Sequence, residues 1–383
     1  MGISVGMVGL GWFGTAFIRL FRDHPLVDRI ALCDIDAERV RTASQRFGIK
    51  ECYGSLDEIC RSDIGALVII TQPWLHAPQV IQGMEAGKHV WSAVPLISLP
   101  DGKEMLDWCD RVVGTCRKTG MHYMLAETSY FRPEAMFARR MAAQGAFGQF
   151  VYAEGQYFHD LLSRGSNLVE VAKHRWGAQW SMAKSGDAPM HYPTHSIGGF
   201  LDAVKAHVTK VACVGYKHPN DDWHRLDTES RNPFACETAL MKLSNGMSAR
   251  ICEFRRVGKP NFEGFSLFGT DGCLLTIGEE TMFWQTKSSQ RPLTLDEMRD
   301  PLPKEVLDAY EAGRSAKESL YGGHGGSHAF LVHEFVSAIA AGRPPAINAW
   351  QSARYLAPGI IAHESAMRDG EWLDVPDWGD APN

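Results

Sequence analysis

Several things are missing from this sequence of 383 residues, and each absence excludes a class of protein. No stripe of Lys and Arg stands out and the formal net charge is a modest −6, so nothing invites nucleic acid or an anionic membrane as a partner. No apolar run approaches the length needed to cross a bilayer. The nine cysteines are scattered, with neither a Cys-x-x-Cys pair nor an even framework, which fits reduced thiols. Histidine is plentiful at 15, yet no His-Glu-x-x-His and no close Cys/His quartet occurs, so no metal is expected. No internal repeat is present. The first apolar strand begins two residues after Met1, so no cleaved signal peptide is expected and the chain reads as cytoplasmic. What remains is a globular chain, 45% apolar and long enough for two domains, with a small molecule as its partner.

What is there starts with Ile3 to Gly14, ISVGMVGLGWFG, a short apolar strand running into a Gly-x-Gly-x-x-Gly turn at Gly9, Gly11 and Gly14. In a dinucleotide-binding turn the first glycine permits the tight bend, the second lets the backbone approach a pyrophosphate, and the third lets the next helix pack on the strand. The helix expected over Thr15 to Arg22 would bury Ala16, Phe17, Leu20 and Phe21 and aim its free N–H groups at the phosphates. A second apolar strand, Ile30 to Cys33, ends in Asp34, about twenty residues past Gly14 as this fingerprint requires. Strand, glycine turn, helix and acidic strand end together read as a Rossmann domain, with Gly9, Leu10, Gly11, Trp12, Phe13 and Gly14 around the pyrophosphate. Asp34, with Ile35 beside it, would accept the adenosine ribose hydroxyls and repel an added 2′-phosphate, which favours NAD over NADP. The structural alternative for Asp34 is a cap on the next helix, Ala37 to Phe47, for which Asp36 is equally well placed.

The β/α alternation continues. Ser55-Leu-Asp-Glu58 spells a capping box, and Ala66 to Thr71 reads as a buried parallel strand. The loop from Thr71, Gln72 and Pro73 to His76 then falls at the carboxyl edge of the sheet, where open α/β sheets hold ligands. A helix closed by Gly87 leads to a strand, His89 to Ser92, and the loop Ala93-Val94-Pro95. A helix with Pro100 at its first position and a strand, Met121 to Ala126, close the first domain near Glu127. Beyond Pro133 one helix leads into long alternating strands, Gln149 to Phe158 and Thr209 to Tyr216, with hairpins signalled at Asn245-Gly246 and Asp271-Gly272. Ser288 to Ser319 reads as a polar surface excursion with one short helix, and Trp350 to Arg368 as an amphipathic helix. The expected fold class is α/β: residues 1–126 form a Rossmann domain, and residues 127–383 form an α+β domain on a large, open-faced, mostly antiparallel sheet.

The Gly9 to Gly14 turn, the Thr71-x-Pro73-x-x-His76 loop, and Gly87-Lys88-His89-Val90 followed by Pro95-Leu96 together resemble the Gfo/Idh/MocA oxidoreductases over nearly the whole chain. The resemblance implies an NAD-dependent enzyme in which Thr71, Gln72, Pro73, His76, Ala93 and Val94 complete the cofactor site. It also implies a C-terminal helix that lies beside the second sheet and returns to the first domain, and a homo-oligomer, dimer or tetramer, built through that sheet's outer face. In that family the residues before the proline read Glu-Lys, and the lysine hydrogen-bonds the hydroxyl that is oxidised. Here Ala93 and Val94 hold those positions, so the usual lysine is absent.

The richest polar cluster is His191-Tyr192-Pro193-Thr194-His195, which opens a helix-like run from Ser196 to Val204. The resemblance aligns it with the place where many family dehydrogenases carry an Asp and, four residues on, a His that handles the hydroxyl proton. His195 is therefore the first catalytic candidate, joined by Tyr192, while His191 stands at the Asp position; histidines satisfied by backbone carbonyls are the alternative. A second cluster, Glu154-Gly-Gln-Tyr157-Phe-His159-Asp160, ends a strand, where alternation puts Tyr157 and His159 on one face. Glu154 to Tyr157, His159-Asp160, Tyr192 to His195 and Gly323-His324-Gly-Gly326 together resemble the NAD-dependent glycosidases of this superfamily, the α-N-acetylgalactosaminidase type especially. That resemblance adds Glu127 and His324 as substrate contacts. Arg175 beside Trp176 suits an anionic substituent such as a carboxylate or sulfonate, or equally a solvated surface.

Three functions stand at this point: a glycosidase that recycles NAD, an ordinary NAD-dependent sugar or polyol dehydrogenase, and an NAD-binding regulator without turnover. The first oxidises a ring carbon, C3, so that the C2 proton becomes acidic, eliminates the C1 substituent, adds water and returns the hydride. It needs groups for two proton transfers, and the clusters at Tyr157/His159 and His191/Tyr192/His195 supply them, with a carbohydrate as partner.

Overall fold

The computed structural model describes residues 2–382 apart from 164–167, 178–179, 182–186, 259–260, 278–279, 287–290 and 316–317. Strands β1 (Ile3–Val8), β2 (Val27–Cys33), β3 (Cys52–Tyr53), β4 (Ala66–Ile69), β5 (His89–Ser92) and β6 (Tyr123–Leu125) pair in parallel in the order β3-β2-β1-β4-β5-β6. The order reverses between β1 and β4, which opens a crevice at their carboxyl ends. Helices α1 (Trp12–Arg22), α2 (Ala37–Phe47), α3 (Leu56–Arg61), α4 (His76–Glu85) and α5 (Gly102–Thr119) cover the sheet.

Two local expectations give way here. Helix α1 starts at Trp12 because Gly11 is its N-cap, and it buries Ile18 rather than Ala16, which is exposed. The reason is a second packing partner: Phe17 stacks on His328 and Phe21 meets Phe335, both from the far end of the chain. Pro100 precedes the cap of α5 rather than opening it, since the Asp101 side chain accepts from Lys103 N and Glu104 N.

The second part contains α6 (Pro133–Ala143), β7 (Phe150–Phe158), α7 (Leu168–Trp176), α8 (Thr194–Gly198), α9 (Leu201–Val204), β8 (Val208–Tyr216), β9 (Cys236–Leu243) and β10 (Ser248–Phe254). It continues through β11 (Phe262–Gly269), β12 (Gly272–Ile277), β13 (Glu280–Gln285), β14 (Arg291–Pro292), α10 (Leu295–Met298), α11 (Lys304–Ala312), α12 (Ser327–Ala341), α13 (Ala349–Met367) and β15 (Leu373–Asp374). Its nine strands run β14-β13-β12-β11-β7-β10-β9-β8-β15, antiparallel except that β10 and β7 are parallel. Both expected hairpins form, at Asn245-Gly246 and Asp271-Gly272.

The described part of the 288–319 excursion holds two helices rather than one, and it docks: Tyr310 is buried and its carbonyl accepts from Arg19 of α1. Helix α13 is buried on nearly every side rather than amphipathic, because it is wedged between α5 and β8. The main apolar core is one cluster running through both sheets, while Leu161, Ala172 and Trp223 form a small second one under α7.

One row across the inner face of the second sheet sets up the site. Glu237, Glu253, Tyr157 and Glu263 lie side by side on β9, β10, β7 and β11. Each carboxylate takes hold of something lying on the sheet: Glu237 accepts from Met190 N at 2.9 Å, Glu253 from Ser196 Oγ at 2.6 Å, and Glu263 from Arg132. Gly155, one inward position before Tyr157, lets α8 sit directly on β7; a Cβ there would lie 1.7 Å from the Ser196 carbonyl oxygen.

Candidate active site

The glycine turn has the shape its sequence demands. Gly9 has φ +94°, and a Cβ there would lie 2.2 Å from the Ile70 carbonyl; one on Gly14 would lie 2.0 Å from the Gly9 carbonyl. Gly11 is different, since a Cβ there would meet nothing within 4 Å, so its bareness serves something outside the chain. Gly11 caps α1 without a side-chain bond, which leaves first-turn N–H groups open to an anion, and Trp12 stands 87% exposed beside them. These features fit a dinucleotide.

Asp34 is buried at the end of β2. Its carboxylate accepts from Leu10 N at 2.7 Å and Asp36 N at 2.9 Å, so it ties the strand end to the glycine turn. The helix cap belongs to Asp36, which accepts from Glu38 N and Arg39 N, and Ile35 between the two acids is 90% exposed. On the neighbouring loops, His76 is enclosed, its Nδ1 2.7 Å from the Pro95 carbonyl and its Nε2 3.2 Å from that of Thr71. Burial lowers its pKa to about 4, so it joins the two loops as a neutral ring. Thr71 donates to Gln79, Gln72 precedes the short 3-10 turn opened by Pro73, and Ala93 and Val94 are buried.

The second domain brings its polar side chains to the same crevice. The Tyr157 ring lies 4.8 Å from His195 and 6.1 Å from Tyr192, and Tyr192 lies 5.2 Å from His195, all between ring centroids. The Tyr192 hydroxyl is 3.5 Å from the Val94 carbonyl, at the position where the family lysine is missing. Tyr157 and His159 share a face as alternation requires, with the hydroxyl 2.8 Å from Nδ1. Burial raises the Tyr157 pKa; in His159 burial, with the charges of Arg255, Arg175 and His195, lowers it to about 3 and leaves a neutral ring. The His159 Nε2 is buried with no hydrogen-bond partner among the described residues.

His195 is the opposite case. Its Nδ1 is 2.7 Å from Glu127 Oε1 and 3.6 Å from Glu263 Oε1. Burial alone would lower its pKa, but the Glu127 and Glu263 carboxylates outweigh it and push the value up to about 10. Burial would raise the Glu127 pKa, but His195 and the hydrogen bonds from His195 and Ser129 N hold it below its ordinary value. His195 is therefore a held cation, and its Nε2 makes no hydrogen bond among the described residues. His324 edges onto Phe13 of the glycine turn at 5.7 Å and bonds His328, with its pKa lowered to about 4 by burial and the nearby His195 and Arg132 charges.

Trp176 stacks on Trp74 at 3.7 Å, which docks α7 on the cofactor-side loop. Arg175 faces the Tyr192 ring at 5.8 Å and makes no ion pair among the described residues. His191 is not part of the group. It is carried in a 3-10 turn, its Nδ1 3.2 Å from the Leu99 carbonyl and its ring edge-on to His363, and burial with the His363 charge lowers its pKa to about 3.

Sequence reasoning missed Glu263, Glu253 and Arg255. Arg255 donates to Glu253 at 2.9 Å and to the carbonyls of Tyr157 and Pro189, so it fixes the strand bearing Tyr157 against the turn before Tyr192.

Comparison with known proteins finds matches in two stretches of the chain. Residues 3–124 match the oxidoreductase family with an NAD-binding Rossmann fold, GFO_IDH_MocA, and residues 232–381 match the glycosyl hydrolase 109 C-terminal domain. The chain joins a Gfo/Idh/MocA Rossmann domain to a glycosyl hydrolase 109 C-terminal domain. The NAD-binding character of the first domain follows from that match. A glycosyl hydrolase family 109 protein of Stenotrophomonas maltophilia is 24% identical over 98% of this chain and 89% of its own length. An alpha-N-acetylgalactosaminidase of Tannerella forsythia is 23% identical over 91% and 80%. In three dimensions this chain shares its fold with a levoglucosan dehydrogenase solved with NADH and levoglucosan, at TM-score 0.75 and 20% identity over 98% of this chain and 100% of that one. It also shares it with a scyllo-inositol dehydrogenase of Lactobacillus casei, at TM-score 0.69 and 16% identity over 98% and 99%. No helix among the described residues is long and apolar enough to cross a membrane.

Proposed function

We propose that this protein is an NAD-dependent glycosidase that cleaves a glycoside through transient oxidation, with no net change in its cofactor. The observation that carries this reading is a pair of proton-handling units with opposed charge, a cationic His195 on Glu127 and a neutral His159 on Tyr157, with the Tyr157 and His195 rings 4.8 Å apart. Environments that drive pKa values apart in one site divide the acid from the base. The match to the family 109 domain and the names of its relatives support the same reading.

When bound, NAD supplies a reversible hydride acceptor, so a sugar ring can be oxidised at C3 and reduced again within one turnover. In this reading the residues at Gly9 to Gly14, Asp34, Ile35, Thr71 to Pro73, His76, Ala93 and Val94 position the cofactor. Tyr157, backed by the neutral His159, accepts one sugar proton at a time, its own passing to Nδ1: the proton of the oxidised hydroxyl is released to solvent before the C2 proton is taken up, and the C2 proton is then handed to the departing C1 oxygen. His195, with Tyr192 beside it, faces the hydroxyl that the family lysine would otherwise meet. As a cation it stabilises the negative charge that develops on that oxygen when C2 loses its proton. Arg175 and Trp176 border the sugar where an anionic substituent would sit, with His324 as a further contact and Glu127 acting on it through His195. The functional partition falls at residues 1–126 and 127–383.

A homo-oligomer belongs to the same proposal. On the outer face of the second sheet Phe158 stacks on Phe254 at 4.8 Å, while Val214 and Leu240 are exposed, a surface suited to a second copy. All nine cysteines are unpaired, which supports a reducing, cytoplasmic setting.

The test is turnover of an α-N-acetylgalactosaminide in D₂O with absorbance monitored for NADH. Product carrying deuterium at C2 with no NADH accumulation is expected. Stoichiometric NADH with an intact glycosidic bond would establish a dehydrogenase instead, and tight NAD binding without turnover over a broad glycoside panel would point to a regulator.

A further inference from the structure

A cavity of about 320 Å³ is lined by Arg132 and Glu134 at the start of α6, by Leu295 and Arg299, by Tyr321 and by glycines of the 322–326 turn. Its lining includes none of the residues of the glycine turn and none of the Tyr157, Tyr192 and His195 group. It nevertheless touches the candidate active site, because Arg132 also donates to Glu263, 3.6 Å from His195.

Arg299 is what singles this cavity out. The other arginines nearby each have a carboxylate: Arg291 pairs with Glu297, Arg140 with Asp300 and Arg132 with Glu263. The Arg299 side chain makes no hydrogen bond and no ion pair among the described residues. Its guanidinium carbon lies 4.2 Å from the centroid of the Tyr321 ring, and its Nε is buried without a partner. Arg132 repeats the pattern in part, since its Nε is also buried and unpartnered. A half-desolvated guanidinium with no counter-charge is costly unless something else supplies one. The start of α6 adds to the positive side, as its N-cap makes no side-chain bond. Glu134 is the one carboxylate of the lining, and it forms no ion pair with Arg299.

We propose that this cavity binds a small organic anion that presents a carboxylate, sulfate or phosphate to Arg299. The Tyr321 ring holds the guanidinium in place, leaving its terminal nitrogens for a two-point contact of the kind arginine makes with such groups. The volume is at the lower end of the range for small-molecule sites, about 300 Å³ and upward, so it suits an anion attached to a sugar-sized body.

The experiment is calorimetric titration of the NAD-loaded full-length protein, so that the pyrophosphate turn is already filled. The probes are inorganic sulfate, inorganic phosphate, glucuronate and glucose. Saturable binding of at least one anion is expected, with none for glucose. Glucuronate at least tenfold tighter than the inorganic ions identifies an organic anion as the occupant, and equal affinities identify the free ion, which would overturn the organic-ligand assignment. Arg299→Gln should weaken the bound anion by about 10- to 100-fold, the size of a charge-assisted contact, whereas Arg291→Gln, removed from the cavity and already paired with Glu297, should leave it unchanged. Ser319→Glu, which places a carboxylate in the lining, should also abolish binding and serves if Arg299→Gln does not fold. Absence of any saturable anion binding, or equal binding in wild type and Arg299→Gln, overturns the site.

Discussion

The Nδ1 of His195 lies 2.7 Å from Oε1 of Glu127, so the end of the first sheet and the start of α8 meet in one charged hydrogen bond. Its first consequence is a pH profile. Burial would lower the His195 pKa and the two glutamates raise it to about 10, from an ordinary 6.5. The stabilisation this gives the fold is complete below the ordinary value and is lost as pH rises through the raised one. Glu127→Gln removes the nearer carboxylate, so the alkaline limb of kcat/KM should move to lower pH; an unmoved limb would separate the limb from His195. His195→Ala should lower turnover by about 10² or more, the usual size for a proton-transfer group, and full activity would return the residue to a structural role.

Cofactor choice is checked by titration. Asp34 steadies the glycine turn through Leu10 N. Asp34→Ala should therefore weaken NAD(H) by about tenfold or more, the value of one charge-assisted hydrogen bond, and NAD(H) should bind the wild type more tightly than NADP(H). The reverse preference would show that the acid at the end of β2 does not select the cofactor.

Gly155 offers a test of positioning. A methyl group there would meet the Ser196 carbonyl at 1.7 Å, and backbone cannot swing aside as a flexible side chain can. Gly155→Ala should cost about 3 kcal/mol or more in denaturant unfolding and displace His195 with α8, so that any folded fraction has lost activity. Wild-type stability would mean that α8 is free to lift off β7.

Arg255 and Glu253 form a buried pair, with side chains 5% and 0% exposed. Arg255→Met alone strands a buried carboxylate and should destabilise the protein by about 3–5 kcal/mol, whereas the double change with Glu253→Gln should recover much of that loss. Equal losses in the single and double variants, read from urea midpoints, would show that the two residues act independently.

These tests fall unevenly on what the sequence displays. The glycine turn, the β/α alternation of the first domain and the shared face of Tyr157 and His159 follow from spacing over a few residues, which local geometry dictates. The row of Glu237, Glu253, Tyr157 and Glu263 does not, because it exists only once four strands have taken their register. His191 misleads for a related reason. Four residues before His195 it would share a helix face, but the 3-10 turn at Pro189–His191 ends before α8 begins and points the ring toward Leu99. Ala16 and Pro100 fail on neighbours: the first depends on how α12 meets α1, the second on a side-chain cap one residue later.

The apolar core described above passes without a break from the first sheet into the second, and α13 is the wedge that joins them: Trp350, Tyr355 and Ile360 are buried in it, and Leu125 N bonds the Ile347 carbonyl just before the helix. The proposed partition near residue 126 is therefore matched by no break in the apolar core. Residues 1–126 made alone would expose the faces of α1 and α5 that α12 and α13 cover, so the chain should melt as one cooperative unit, and losing the last helix should undo the nucleotide site at the opposite end of the sequence.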